Sequence, residues 1–150
     1  MDIRDRIDTA SRGQLDEMLA ETPGGFNAIE DIRERRKKLE EQQQKWAKDQ
    51  PPNENVVIED REISGTEYSP PVGVRIYHPK AASGVLPGIF FIHGGGMIMG
   101  SIEGENLKAA ELCEVIQAVV VSVEYRLAPE HPHPAPLQDC YAALKWMAQN

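Results

Sequence analysis

Two nearly continuous apolar runs, Gly88-Ile89-Phe90-Phe91-Ile92 and Val119-Val120-Val121-Ser122-Val123, constrain the fold of this chain more than any other feature. A strand with one solvated face alternates apolar and polar residues. These runs do not, which is the pattern of strands covered on both faces in a parallel sheet. Between them Ala109, Leu112, Cys113 and Ile116 recur at three- and four-residue steps and give a helix with one apolar face. Strand, helix, strand predicts a right-handed crossover in an α/β architecture, with both runs as central strands.

Upstream, Val56-Val57-Ile58 begins a strand and Val72-Gly73-Val74-Arg75-Ile76-Tyr77 alternates as another, with Ser64-Gly65 and Ser69-Pro70-Pro71 as turn material. An antiparallel pair is expected there. Downstream, a helix opens around Pro136, with Leu137, Cys140, Tyr141, Leu144, Met147 and Ala148 as its apolar stripe.

The character of the chain changes near Pro51-Pro52, before which lies a polar, helix-rich arm. Ile3, Ile7, Leu15, Met18 and Leu19 mark one helix, stopped by Thr22-Pro23-Gly24-Gly25. Asn27 with Glu30 makes a capping-box-like start for a second helix. Its apolar stripe, Ile29, Ile32, Leu39 and Trp46, is too thin to build a core alone. The arm is therefore expected to pack on something else, as a lid or a partner-binding surface.

His93-Gly94-Gly95-Gly96 follows the first apolar run directly. Three consecutive glycines give up backbone entropy, and in return successive N–H groups can turn toward one point with no Cβ in the way. Such donors stabilise a developing oxyanion, and losing one costs on the order of 3 kcal/mol of transition-state energy. The alternatives are a simple chain-redirecting turn or a phosphate-cradling loop. A dinucleotide fingerprint needs G-x-G-x-x-G, and Met99 stands where the third glycine belongs, with Gly100 one residue late.

The net charge of −8 argues against a nucleic-acid partner, because that affinity needs clustered Lys and Arg. The basic run at residues 33–38 is interrupted by Glu34 and followed by Glu40 and Glu41, and reads as a solvated helix face. No stretch approaches the roughly 20 apolar residues that span a bilayer, and Met1-Asp2-Ile3-Arg4-Asp5-Arg6 lacks the apolar segment of a leader. A cytoplasmic protein is expected. Cys113 and Cys140 fall at apolar helix positions and read as two reduced, buried thiols. His131 and His133 lack a third ligand at a usual spacing, so no metal site is expected.

The second apolar run leads into Glu124-Tyr125-Arg126-Leu127-Ala128-Pro129-Glu130, followed by a helix carrying Asp139-Cys140-Tyr141-Ala142-Ala143-Leu144-Lys145-Trp146. With the His-Gly-Gly-Gly loop, and in this order, these segments resemble the hormone-sensitive-lipase-like (type IV) esterases of the α/β-hydrolase fold. The resemblance covers residues 56–150. It implies a helical N-terminal cap region over residues 1–50 and the N-terminal part of an α/β-hydrolase domain, with its mostly parallel central sheet, over residues 51–150. It implies a carboxylic ester hydrolase acting on small or medium acyl esters through a Ser, Asp/Glu, His triad, with no metal and no cofactor. Carried over, the N–H groups of Gly95 and Gly96 point at the tetrahedral intermediate, Gly94 gives the bend and His93 braces the loop. The family usually has a bulky aromatic after the third glycine; the flexible thioether of Met97 stands there as a substrate-pocket residue, so the family's acyl-pocket shape does not carry over. A homodimer is expected of the full-length protein.

The nucleophile elbow G-x-S-x-G is absent. The serines are Ser11, Ser64, Ser69, Ser83, Ser101 and Ser122, none flanked by glycines two residues to either side. Ser122 falls inside a strand, and Ser101 caps the next helix. His131 and His133 belong to a structural segment in the family, not to the triad. Arg126, Glu130 and Asp139 read as structural, with Asp139 in the first turn of the last helix, where its charge suits the macrodipole. The triad is expected to lie beyond residue 150, and these 150 residues alone to be inactive. The competing readings are a non-catalytic small-molecule receptor of the same fold and a truncated, inactive protein.

Overall fold

A computed structural model of the protein describes residues 6–150. Two expectations, Ile3 as the first member of the arm's stripe and the charged start at residues 1–5, lie outside the described residues. The chain forms two compact units, Met1–Lys37 and Lys38–Asn150.

In the first unit, helix α1 (Thr9–Glu21) is capped by Asp8, whose Oδ1 accepts the Ala10 N–H at 2.9 Å. It stops where expected: Gly24 and Gly25 take φ of 78° and 72°, left-handed values that glycine tolerates without a Cβ clash. Helix α2 (Ile32–Lys48) begins differently from the expectation. Asn27 lies in a 3₁₀ turn (Phe26–Ala28), and Asp31 is the cap, its Oδ1 accepting from the N–H groups of Arg33 and Glu34 at 2.8 and 3.0 Å. These bonds hold the Asp31 carboxyl below its usual pKa. Arg35 then reaches back to the Ile29 carbonyl, which fixes the entry of the helix.

The second unit is a four-stranded sheet in the order β1-β2-β4-β3. Strands β1 (Val56–Ile63) and β2 (Val72–Pro79) form the expected antiparallel pair. Strand β4 (Val119–Glu124) runs antiparallel to β2 and parallel to β3 (Gly88–Ile92), which it reaches through α3 (Asn106–Ile116). Helix α4 (Ala135–Met147) follows.

The two-residue period of the strands sorts their side chains onto two faces. Val74, Ile76, Val121 and Val123 pack with Cys140, Ala142 and Ala143 of α4. Tyr77 and Val120 pack with Ala109, Ala110 and Cys113 of α3. The sheet is thus sandwiched between its two helices, and burying each valine fully contributes about 2 kcal/mol.

Within these 150 residues β3 comes last in the strand order, with Ile89, Phe90 and Phe91 half-buried and Ile92 exposed. One expectation is corrected by this packing. On α4 the buried face is Pro136, Asp139, Cys140, Ala142 and Ala143, while Leu137, Tyr141 and Leu144 are exposed. Small residues let α4 lie close to β2 and β4, so the larger residues of the stripe turn outward.

Cys113 and Cys140 are free and buried, as expected. Desolvation pushes the Cys140 thiol up to about 11 from its ordinary 9.0, and raises Cys113 as well. Because the folded value is the higher one, the stability gained by keeping Cys140 neutral is intact below about pH 9. It is lost as pH rises toward 11. Neither thiol should react with a disulfide reagent at pH 8 until denaturant is added; rapid labelling of the native protein would contradict the packing.

Candidate active site

The glycine loop is a tight turn leaving the C-terminal end of β3. Gly95, Gly96 and Met97 have φ of 123°, 62° for Met97 and 61° for Gly96, so the left-handed bend begins at Gly95 and not at Gly94. The Gly95 carbonyl accepts from the N–H groups of Ile98 and Met99, both at 3.2 Å, which closes the turn. A Cβ on Gly95 would meet the Met99 carbonyl oxygen at 2.0 Å. Gly100, at φ 93°, is equally confined, because a Cβ there would meet the Gly94 oxygen at 2.2 Å and His93 Nδ1 at 2.6 Å. The sequence expectation missed Gly100; its signal was a glycine one residue late for a phosphate loop.

With the Gly95 carbonyl turned into the bend, the N–H groups of Gly95 and Gly96 find no protein acceptor among the described residues. Gly96 is exposed and Gly95 half-buried. Two adjacent N–H groups without a protein acceptor on a left-handed turn are of the kind that can bind an anion or an oxyanion.

The turn is held in place from the segment that leaves β4. His93, 2% exposed, stacks on Tyr125 with ring centroids 4.1 Å apart and planes inclined by 11°. The Tyr125 hydroxyl donates to the His93 carbonyl at 2.8 Å. Burial pushes that phenol up to about 12, so it stays a donor throughout the physiological range. His93 Nδ1 lies 2.9 Å from the Gly94 carbonyl and, as only the acceptor is available there, carries the proton in that contact. Further along, the Ala128 N–H donates to the Met97 carbonyl at 3.0 Å, which stabilises the one non-glycine residue of the bend. Glu124 Oε2 accepts the Ile102 N–H at 2.9 Å just past the turn.

Arg126 and Asp139 are structural, as expected, though not through a helix dipole. Asp139 lies in the second turn of α4, 1% exposed, and accepts from Arg126 Nε and Nη2 at 2.8 Å each and from the Arg126 N–H at 2.9 Å. Ser101 Oγ accepts from the Gly104 N–H at 3.1 Å, so it caps a turn ahead of α3, whose first turn starts at Asn106. Ser122 is fully buried in β4. His131 and His133 are exposed and far from any clustered ligand set: among the described residues no three His, Cys, Asp or Glu side chains gather as a metal site.

A cavity of about 960 Å³ lies beside the C-terminal half of α2, where Gln43, Trp46 and Gln50 face Ser101, Asn106 and Leu107. Trp46, a member of the thin apolar stripe of α2, is 83% exposed and lines this cavity. Met97, 42% exposed, is not among the lining residues. No helix of the described residues is long and apolar enough to cross a membrane.

Residues 89–150 match the model of an α/β-hydrolase-fold family. The chain is 41% identical over 93 residues to the carboxylesterase NlhH of Mycobacterium tuberculosis, covering 62% of this chain and 29% of that protein. It is 37% identical over 103 residues to the esterase LipI of the same organism, covering 67% and 32%. Among solved structures, the hyperthermophilic esterase of Pyrobaculum calidifontis superposes with a TM-score of 0.81 at 33% identity, covering 96% of this chain and 44% of that one. The chain therefore spans less than a third of the length of these curated relatives.

The clamp on Asp139 has a directional consequence. Arg126→Met leaves a buried carboxylate with only a backbone partner and should cost about 3 kcal/mol. Asp139→Leu removes the buried charge and frees a guanidinium that is already 26% exposed, so it should cost less. Urea denaturation of both variants checks the order; a reversed order would refute this account of the pair.

Proposed function

This chain belongs to the α/β-hydrolases, in their hormone-sensitive-lipase-like branch, and from that premise we propose that it supplies the oxyanion-binding loop of a serine carboxylic ester hydrolase. The observation that carries this reading is the pair of unclaimed N–H groups on Gly95 and Gly96 at the end of β3. When a serine attacks an ester carbonyl, the oxygen becomes an alkoxide, and donors already in place lower its energy without reorganising. A third N–H comes from the residue after the nucleophile, outside these 150 residues.

His93 holds the turn, Gly94 joins it to the strand, and Met97 borders the acyl pocket with a flexible thioether. The substrates are esters of small or medium acyl chains, and the chemistry uses no metal or organic cofactor. Residues 1–50 form a helical N-terminal cap region, with residues 51–150 as the N-terminal part of the hydrolase domain. The full-length enzyme is a homodimer of the cytoplasm, where the free thiols of Cys113 and Cys140 suit a reducing compartment. The esterase names of the relatives favour this catalytic reading over a non-catalytic receptor.

The test is hydrolysis of p-nitrophenyl esters by the full reading frame, which should also encode G-x-S-x-G after Asn150. Gly95→Ala should lower kcat by about 10²- to 10³-fold. Residues 1–150 alone should show no turnover. Ester hydrolysis by that chain, abolished by Gly95→Ala, would refute the assignment of the nucleophile elsewhere.

A further inference from the structure

The entry to the glycine turn is held by Tyr125, but its exit is held by a separate set of residues to which no role has been given. Resting on the esterase reading, we propose that Glu124, supported by Arg75, is a positioning residue that sets the oxyanion donors from the far end of the turn. Glu124 Oε2 accepts the Ile102 N–H at 2.9 Å, two residues beyond Gly100. Arg75 on β2 donates through Nη1 to Glu103 Oε2 at 2.7 Å and to Asn106 Oδ1 at 3.1 Å. Its Nε and Nη2 are held by Asp60 at 2.6 and 2.9 Å, and the Tyr77 hydroxyl donates to the same Asn106 oxygen at 3.0 Å. Residues 102, 103 and 106 are thus bolted to β2 and β4.

The alternation of β4 explains the division of labour. Residues 120, 122 and 124 face α3, and residues 121, 123 and 125 face α4. The neighbours Glu124 and Tyr125 therefore grip opposite ends of one loop. Between the grips the backbone has no slack: Gly100 is confined against Gly94 and His93, and Gly95 against Met99. A shift at Ile102 must be passed to Gly95 and Gly96. Displacing catalytic donors by about 1 Å costs up to roughly 10²-fold in rate.

The test uses the full-length enzyme and compares Glu124→Met, which removes the acceptor, with Glu124→Gln, which keeps a carbonyl oxygen for the Ile102 N–H. Glu124→Met should lower kcat about tenfold or more with KM within about twofold, and weaken a phosphonate transition-state analogue by the same factor as kcat. Glu124→Gln should restore most of both. A folded Glu124→Met enzyme with unchanged kcat, or a Gln variant as impaired as the Met variant, overturns the proposal. If Glu124→Met does not fold, Arg75→Met takes its place: a fall in kcat with KM held supports the proposal, and a loss of stability alone overturns it. Gly95→Ala is run in parallel. If that variant keeps full activity, the oxyanion reading fails; if it loses activity while the position 124 and 75 variants do not, only the present inference fails.

Discussion

The donation of the Tyr125 hydroxyl to the His93 carbonyl, under the stacked rings of the two residues, is the contact on which the candidate site depends. It joins the ends of two parallel strands, and it does so where the chain turns sharply out of β3. The energy of one such bond is modest, about 1 kcal/mol. Its importance is geometric. The turn has left-handed φ at Gly95 and Gly96, which glycine adopts readily, and at Met97, where a side chain rarely allows it and the surroundings must hold it.

Those surroundings are assembled from one short stretch. Residues 124, 125 and 128 contact Ile102, His93 and Met97 in turn, while Arg126 is occupied with Asp139. The same residues that resemble an esterase family in sequence are, in the fold, the wall against which the glycine turn is shaped. Asp139 anchors that wall to α4, and α4 is anchored to the sheet by small residues, so the chain of dependence runs from the core to the loop.

Much of this was legible beforehand. The apolar runs gave parallel strands because only a two-faced burial rewards an unbroken run of valines, and the alternation of residues 72–77 gave the antiparallel pair. What the pattern of apolar residues cannot convey is which neighbour covers which face. On α4 the large residues Tyr141 and Leu144 outweigh alanines in any hydrophobic pattern, yet the alanines make the contact. Local polar choices were also hidden: Asp31 and Asn27 are both plausible caps by residue type, and only Asp31 has the two N–H groups within reach. In the site, the glycines were legible and their unequal roles were not, since φ depends on contacts made thirty residues away.

That inequality makes the three glycines different targets for change. Gly94 has an ordinary backbone and empty space where a side chain would go; Gly96 has the space but a left-handed backbone that suits asparagine better than alanine; Gly95 has neither. A library randomised across the tripeptide would therefore not behave uniformly. The first position would accept many residues and offer a place to reshape the mouth of the cleft, the third would accept few, and the second would act as the fixed point around which the others vary.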